Sequence, residues 1–170
     1  MSVAAWGVPA MADLPETTIT VHADQIRRLD TRPLEPLRRL PTAELLALED
    51  RISLELPWPR ADDDHRELSE IPEVRLWSLR ADARCPWLPL LLERRSGQLA
   101  RHVAMLVPHA FQRSEGLRFD TDALSLWISQ RLFLLDDWAL ERGVSLRGRL
   151  TQMAAVLGFE LDESFWDSLA

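Results

Sequence analysis

The chain has 170 residues, of which 46% are hydrophobic and 28% charged, enough to bury a core in one folded domain without staples. Its formal net charge of −7 excludes a broad phosphate-binding footprint, so no nucleic-acid partner is expected. A local basic patch is still open to Arg27, Arg28, Arg38 and Arg39. The lone Cys85 excludes an intramolecular disulfide, and no apolar run reaches the ~20 residues of a membrane helix. Lysine is absent and arginine takes its place throughout, which the codon bias of a GC-rich genome explains without a functional cause.

Met1 to Leu14 has neither a basic start nor a continuous apolar stretch, so no signal peptide is read there. Met11 is a second possible start. Residues 1–16 are expected to form a poorly ordered extension, residues 17–170 one α+β domain, and the compartment is expected to be the cytoplasm.

In chain order, Thr17 to His22 alternates around Ile19 and Val21 and predicts a strand. Arg32 to Pro41 carries three prolines and reads as a connector. Thr42 is placed as the cap of a helix with Leu45, Leu46, Leu48 and Ile52 on its apolar face, ended by Pro57-Trp58-Pro59. A polar loop with Asp62, Asp63 and Asp64 follows. Glu73 to Ala81 reads as a second strand, with Val74, Leu76 and Ser78 opposite Trp77 and Leu79. Pro86 to Glu93 is a short helical or irregular connector. Gln98 to Val107 fits a helix by Leu99, His102, Val103 and Leu106, and a buried strand by its unbroken run from Val103 to Val107. The strand is preferred.

The last third is more strongly patterned. Asp120 caps a long helix to Arg142, with Leu124, Trp127, Ile128, Leu132, Leu135 and Trp138 inward and Leu126, Phe133 and Leu134 widening the buried face. Gly143 closes it. Ser145 is read as the cap of a further helix ending at Gly158, and Asp162 as the cap of a last turn with Phe165 and Trp166. The fold expected is α+β: a small antiparallel or mixed sheet from the N-terminal half against C-terminal helices.

Candidate chemistry is sparse. Asp62, Asp63, Asp64, His65, Glu67 and Glu70 are suitable cation ligands by type, but they lack EF-hand spacing and read as a solvated loop. Cys85 with His102 and His109 could form a thiol–imidazole pair, with Glu115 or Asp120 as orienter. His109, Gln112, Arg113 and Glu115 form the best polar cluster, on a loop in which Arg113 either tethers the chain by pairing with Glu115 or a nearby Asp, or meets a ligand. Trp58 and Trp87, each beside a proline, are the tryptophans best suited to an interface.

Taken together, Arg66 to Trp77, Pro86 to Leu92 and Leu99 to Gly116, with Phe133 to Trp138 and Leu157 to Trp166, resemble the chlororespiratory reduction 6 family. Arg84 and Arg94 stand where that pattern has an aromatic residue, and the loop Ala61 to His65 departs from it. The resemblance implies a non-enzymatic assembly factor, without cofactor or metal, for the photosynthetic NAD(P)H dehydrogenase-like complex of cyanobacteria and chloroplasts. It also implies a client, the ferredoxin-like iron–sulfur subunit of the peripheral arm, and no insertion into the membrane. Two other functions stay open: a small hydrolase or metal-dependent enzyme built on His109, Arg113 and Glu115, and a structural subunit of the mature complex. The partner surface is expected on Trp58, Asp62, Asp63, Asp64, Arg66, Glu67, Glu70, His109, Arg113 and Glu115, where an aromatic anchor meets a charged rim.

Overall fold

The computed structural model describes residues 16–169. The extension expected at residues 1–16 therefore lies, Glu16 apart, outside the described residues, as does the choice between Met1 and Met11. Strand β1 (Thr17–Thr20) is followed by three short helices, α1 (Ala23–Arg27), α2 (Glu35–Arg38) and α3 (Thr42–Ala47), and then by β2 (Ile52–Glu55). The pair β1–β2 is parallel, in register from Thr17↔Ile52 to Thr20↔Glu55. On the other side of β2, Leu92 forms a parallel bridge to Ile52, and Glu93 N–H donates to the Ile52 carbonyl at 2.8 Å. Parallel neighbours need long crossovers, which the helices supply. The Gln98 side chain continues that edge, accepting from Leu54 N–H at 3.2 Å and donating to the Leu54 carbonyl at 3.3 Å. A side-chain amide thus occupies backbone groups that an edge strand would leave open.

Helix α4 (Pro72–Arg84) follows, then α5 (Leu88–Leu91), α6 (Gln98–Leu106), an antiparallel hairpin of β3 (His109–Gln112) and β4 (Gly116–Phe119), and helices α7 (Thr121–Leu140), α8 (Arg147–Val156) and α9 (Glu163–Asp167). The α+β class stands, with a parallel pair and a separate antiparallel hairpin where one antiparallel or mixed sheet was expected.

Several expectations are corrected. Glu73 to Ala81 is helix: Val74, Trp77, Ser78 and Ala81 are buried, at helical spacing, while Leu76 is 54% and Leu79 47% exposed. Pro72 opens this helix at a position where its missing N–H costs nothing. Gln98 to Leu106 is also helix, entered from Gly97 at φ 82°, and Leu99, His102, Val103, Ala104 and Met105 are all covered. It packs against α4, α5 and the 3-10 turn Leu68–Glu70, which explains an apolar run wider than one stripe. Ile52 belongs to β2 and not to the helix before it, because Asp50 at φ 60° turns the chain out of α3. Pro41, and not Thr42, occupies the cap position of α3, and Leu146, and not Ser145, that of α8.

Asp120 caps α7 through Ala123 N–H at 2.8 Å and Asp162 caps α9 through Phe165 N–H at 3.1 Å, both as expected. Gly143 at φ 69° and Gly158 at φ 91° end α7 and α8 in left-handed conformations that a side chain would strain. Leu124, Ile128, Leu132, Leu135 and Ala139 of α7 are buried, but Leu126, Phe133 and Leu134, expected inward, face solvent. Where α4, α6 and α7 meet, Asp82 holds Arg131 by an ion pair and His102 Nε2 at 3.3 Å, all three being buried. The second Arg131 nitrogen donates to the Pro86 carbonyl at 3.1 Å. Among the described residues no helix is long and apolar enough to cross a membrane.

Candidate functional site

Two of the segments expected to form the partner surface come together, through a bond between residues forty positions apart: Ser69 Oγ lies 3.0 Å from His109 Nε2. His109 Nδ1 lies 3.0 Å from the Val107 carbonyl, and a carbonyl only accepts, so Nδ1 carries the proton. In the neutral ring Nε2 then accepts from the Ser69 hydroxyl. The imidazole packs edge-on to Phe111, with centroids 5.1 Å apart, and to Phe119 at 6.3 Å. His109 therefore pins the hairpin to the 3-10 turn that precedes α4.

A cleft of about 180 Å³ opens between that turn, α6 and the hairpin, with Leu68, Met105, Phe111 and Leu117 as its apolar wall and Arg60 and Glu67 on its rim. It adjoins a smaller recess of about 60 Å³ reaching Leu54, Leu56 and His102, the two sharing Leu68, Arg101 and Met105. Phe111 is 43% exposed, a large apolar side chain left at the mouth. Helix α6 supplies the floor because its apolar surface extends past the face that α4 covers. The hairpin supplies the wall because its three-residue turn, closed by Gly116 at φ 69°, sets Phe111 across from Leu117.

Of the residues expected at a partner surface, Glu67 lines the cleft and His109 holds it in shape. Arg66 grips Asp64 with two hydrogen bonds of 2.8 and 2.9 Å, and these hold the Asp64 carboxyl down at about 2. Glu70 accepts from Glu67 N–H at 2.6 Å and closes the 3-10 turn, while Arg60 donates to the Arg66 carbonyl at 2.6 Å. These residues fold the loop rather than offer free charge. Asp62 and Asp63 are exposed on the turn before it. Trp58 is half-buried against the core under the Arg27 guanidinium, 4.8 Å from its ring centroid, and does not line the cleft. Trp87 is buried. Ser69, Phe111, Met105 and Leu117 are the residues sequence reasoning missed. The alternation of His109 to Gln112 and of Leu117 to Phe119 about Gly116 was the signal for the hairpin; nothing local announces the Ser69–His109 contact.

The structure does not assemble the alternative catalytic cluster. Arg113 lies beyond the end of β3, four residues from His109, so their backbones are separated by about 13 Å. Glu115 pairs with Arg118 at 3.1 Å, and not with Arg113, so the expected tether is corrected as well. Both ring nitrogens of His109 are committed. Cys85 is fully buried, and burial pushes its thiol up to about 11, away from the thiolate a nucleophile needs. His102 is held by Asp82, and Asp120 by its capping bond. Among the described residues no group of three or more His, Cys, Asp or Glu side chains is placed to hold a metal ion.

No solved structure matches the chain significantly. The chlororespiratory reduction 6 family model matches residues 21–168, nearly the whole length, and the chain belongs to that family.

Proposed function

We infer that this protein acts in the biogenesis of the NAD(P)H dehydrogenase-like complex as a non-enzymatic assembly factor. Its client is the ferredoxin-like iron–sulfur subunit of the peripheral arm, held until that subunit docks. Family membership supports the complex. The observation that carries a binding role is the cleft, where the Ser69–His109 bond joins two loops around an apolar wall with Phe111 exposed at its mouth. An aromatic anchor inside a polar rim is the arrangement that gives protein interfaces most of their affinity. Its rim places Arg60 and Arg101 beside Glu67, so a client segment would meet both signs of charge.

The test is titration of the purified iron–sulfur subunit against wild type, Phe111→Ser and Asp62→Lys/Asp63→Lys. Phe111→Ser should weaken binding at least tenfold while the protein remains folded by circular dichroism, since truncating a central anchor commonly costs about 2 kcal/mol or more. The exposed Asp pair does not line the cleft and should alter mainly the association rate and its salt dependence. Undiminished binding by Phe111→Ser would remove the cleft from the reading. Absence of any complex with wild type would remove the client.

A further inference from the structure

We propose that this protein carries a second docking site, separate from the cleft, which takes a carboxylate-rich segment of a protein partner between the C-terminal half of α4 and the turn after α1. A surface depression of about 310 Å³ is lined there by Arg28, Arg32, Arg80 and Arg84, with Leu29 to Thr31 as its backbone wall. Its lining shares no residue with that of the cleft.

The charges in this depression do not cancel. Asp30 is fully engaged by Arg32, through a 2.7 Å bond from one terminal nitrogen and 3.0 Å bonds from Nε and from the backbone N–H. These bonds hold the Asp30 carboxyl at about 2, so it stays ionised and paired. Glu35 is taken by Arg38 at 3.0 Å, and Arg28 by Asp24 at 2.8 Å. Arg80 and Arg84 make neither an ion pair nor a side-chain hydrogen bond among the described residues, and both are exposed. One helical turn apart, they project in the same direction with about 6 Å between their Cβ atoms. Two free guanidinium forks at that spacing match two carboxylates, each in bidentate geometry.

The wall is fixed as well as charged. Trp77, fully buried on α4, donates its indole N–H to the Asp30 carbonyl at 2.8 Å. Leu29 adopts φ 53°, a left-handed conformation that costs a leucine energy and brings the chain sharply back over α4. The depression is therefore preformed, and a ligand would not have to order it. A chain of net charge −7 that keeps two unpaired arginines together in a preformed hollow discriminates by position: an acidic segment is repelled elsewhere and accepted here. Carboxylate is favoured over the nucleic-acid backbone because the surrounding −7 opposes a long polyanion, whereas a short peptide meets only the local field.

The experiment uses the full chain and a short, fluorescently labelled glutamate-rich peptide at low salt, with transfer RNA and inorganic phosphate as competitors. Arg80→Glu/Arg84→Glu should weaken peptide binding at least tenfold without moving the thermal midpoint, since both side chains are exposed. Arg95→Glu/Arg142→Glu, which changes net charge equally on other surfaces, should retain binding. Arg80→Lys/Arg84→Lys should fall between, because charge is kept and the fork is lost. Equal loss in the two reversal variants would show a general charge effect and overturn the site. So would a wild type that prefers transfer RNA to the peptide, or one that phosphate at equal concentration displaces from the peptide. Phe111→Ser should leave peptide binding unchanged, so this site and the cleft fail or stand independently.

Discussion

Removal of the Asp82 carboxylate should be among the most damaging single changes available to this fold. Asp82 is 5% exposed, Arg131 6% and His102 3%, and the three join α4, α6 and α7 at a point from which water is excluded. Asp82→Leu would strand a guanidinium left with one hydrogen bond, to the Pro86 carbonyl, and the face of the Trp127 ring 5.6 Å away, and leave a buried imidazole N–H site unpaired. Breaking one side of a buried ion pair costs about 3–5 kcal/mol. Total stability for a chain of this kind is about 5–15 kcal/mol, so the variant loses a large share of it. With a urea m-value of about 2 kcal/mol/M the unfolding midpoint should fall by roughly 2 M. Arg131→Met should cost a comparable amount, but Asp82→Leu/Arg131→Met should not cost the sum, because no buried charge is left unsatisfied. A coupling of at least ~2 kcal/mol is expected from the cycle. The assay is equilibrium urea unfolding followed by tryptophan fluorescence and far-ultraviolet circular dichroism on all four proteins. Strict additivity, or an Asp82→Leu midpoint within error of wild type, would mean that the three side chains do not form the dry junction described.

Three further outcomes follow from burial and pairing. Leu135→Ala, at a fully buried position of α7, should cost about 2–5 kcal/mol, whereas Leu126→Ala on the same helix but 74% exposed should stay within about 0.5 kcal/mol; denaturant melts compare them. Cys85 should resist a disulfide-exchange reagent at pH 8 in the native protein and react fully in denaturant, because burial holds its thiol up at about 11 and excludes the reagent. Asp64 has a folded-state pKa of about 2 against an ordinary 3.8, so what its bond to Arg66 contributes is complete above pH 3.8 and is lost as pH falls through about 2. Amide protection in the 60–70 segment, taken relative to the intrinsic exchange rate at each pH, should fall over that interval in wild type and should already be low at neutral pH in Asp64→Ala.

What was legible in the sequence is what short-range chemistry determines. Asp120 and Asp162 cap their helices because a carboxylate three residues before an open N–H needs no help from the rest of the chain. Gly143 and Gly158 stop helices for an equally local reason. The segments misread as strands are those whose burial is set from several sides. Val74, Trp77, Ser78 and Ala81 form a helical stripe, but Leu76 and Leu79 outside it are apolar too, and that surplus imitates alternation. Val103 to Val107 is covered by three elements, so its hydrophobicity carries no period. Strand β2 was hidden because Ile52 extends the apolar spacing of α3, and only the left-handed turn at Asp50 separates them. Of the candidate site, Glu67 and His109 were found for their polarity and position in loops, while Phe111 and Leu117 belong to a hairpin whose pairing had not been read.

The architecture gives the two surfaces different mechanical properties. The arginine-lined hollow stands on α4, whose Trp77 is both fully buried and bonded to the opposite wall, so its shape is as stable as the core. The cleft has one wall made by a two-stranded hairpin, a unit that is marginal by itself and must lean on neighbouring elements. The 3-10 turn holds it through the Ser69–His109 bond, the imidazole being fixed within the hairpin by its edge contacts to Phe111 and Phe119, while Phe111 and Leu117 remain turned to the groove. A wall anchored at its base and free toward its turn can admit a bulky client side chain by a small displacement, at the cost of few native contacts. A rigid hollow that recognises charge and a compliant cleft that accepts apolar bulk suit successive steps of one encounter. Charge acts over about a Debye length, ~10 Å at moderate salt, and orients the partner before contact, whereas apolar burial acts only once the surfaces touch.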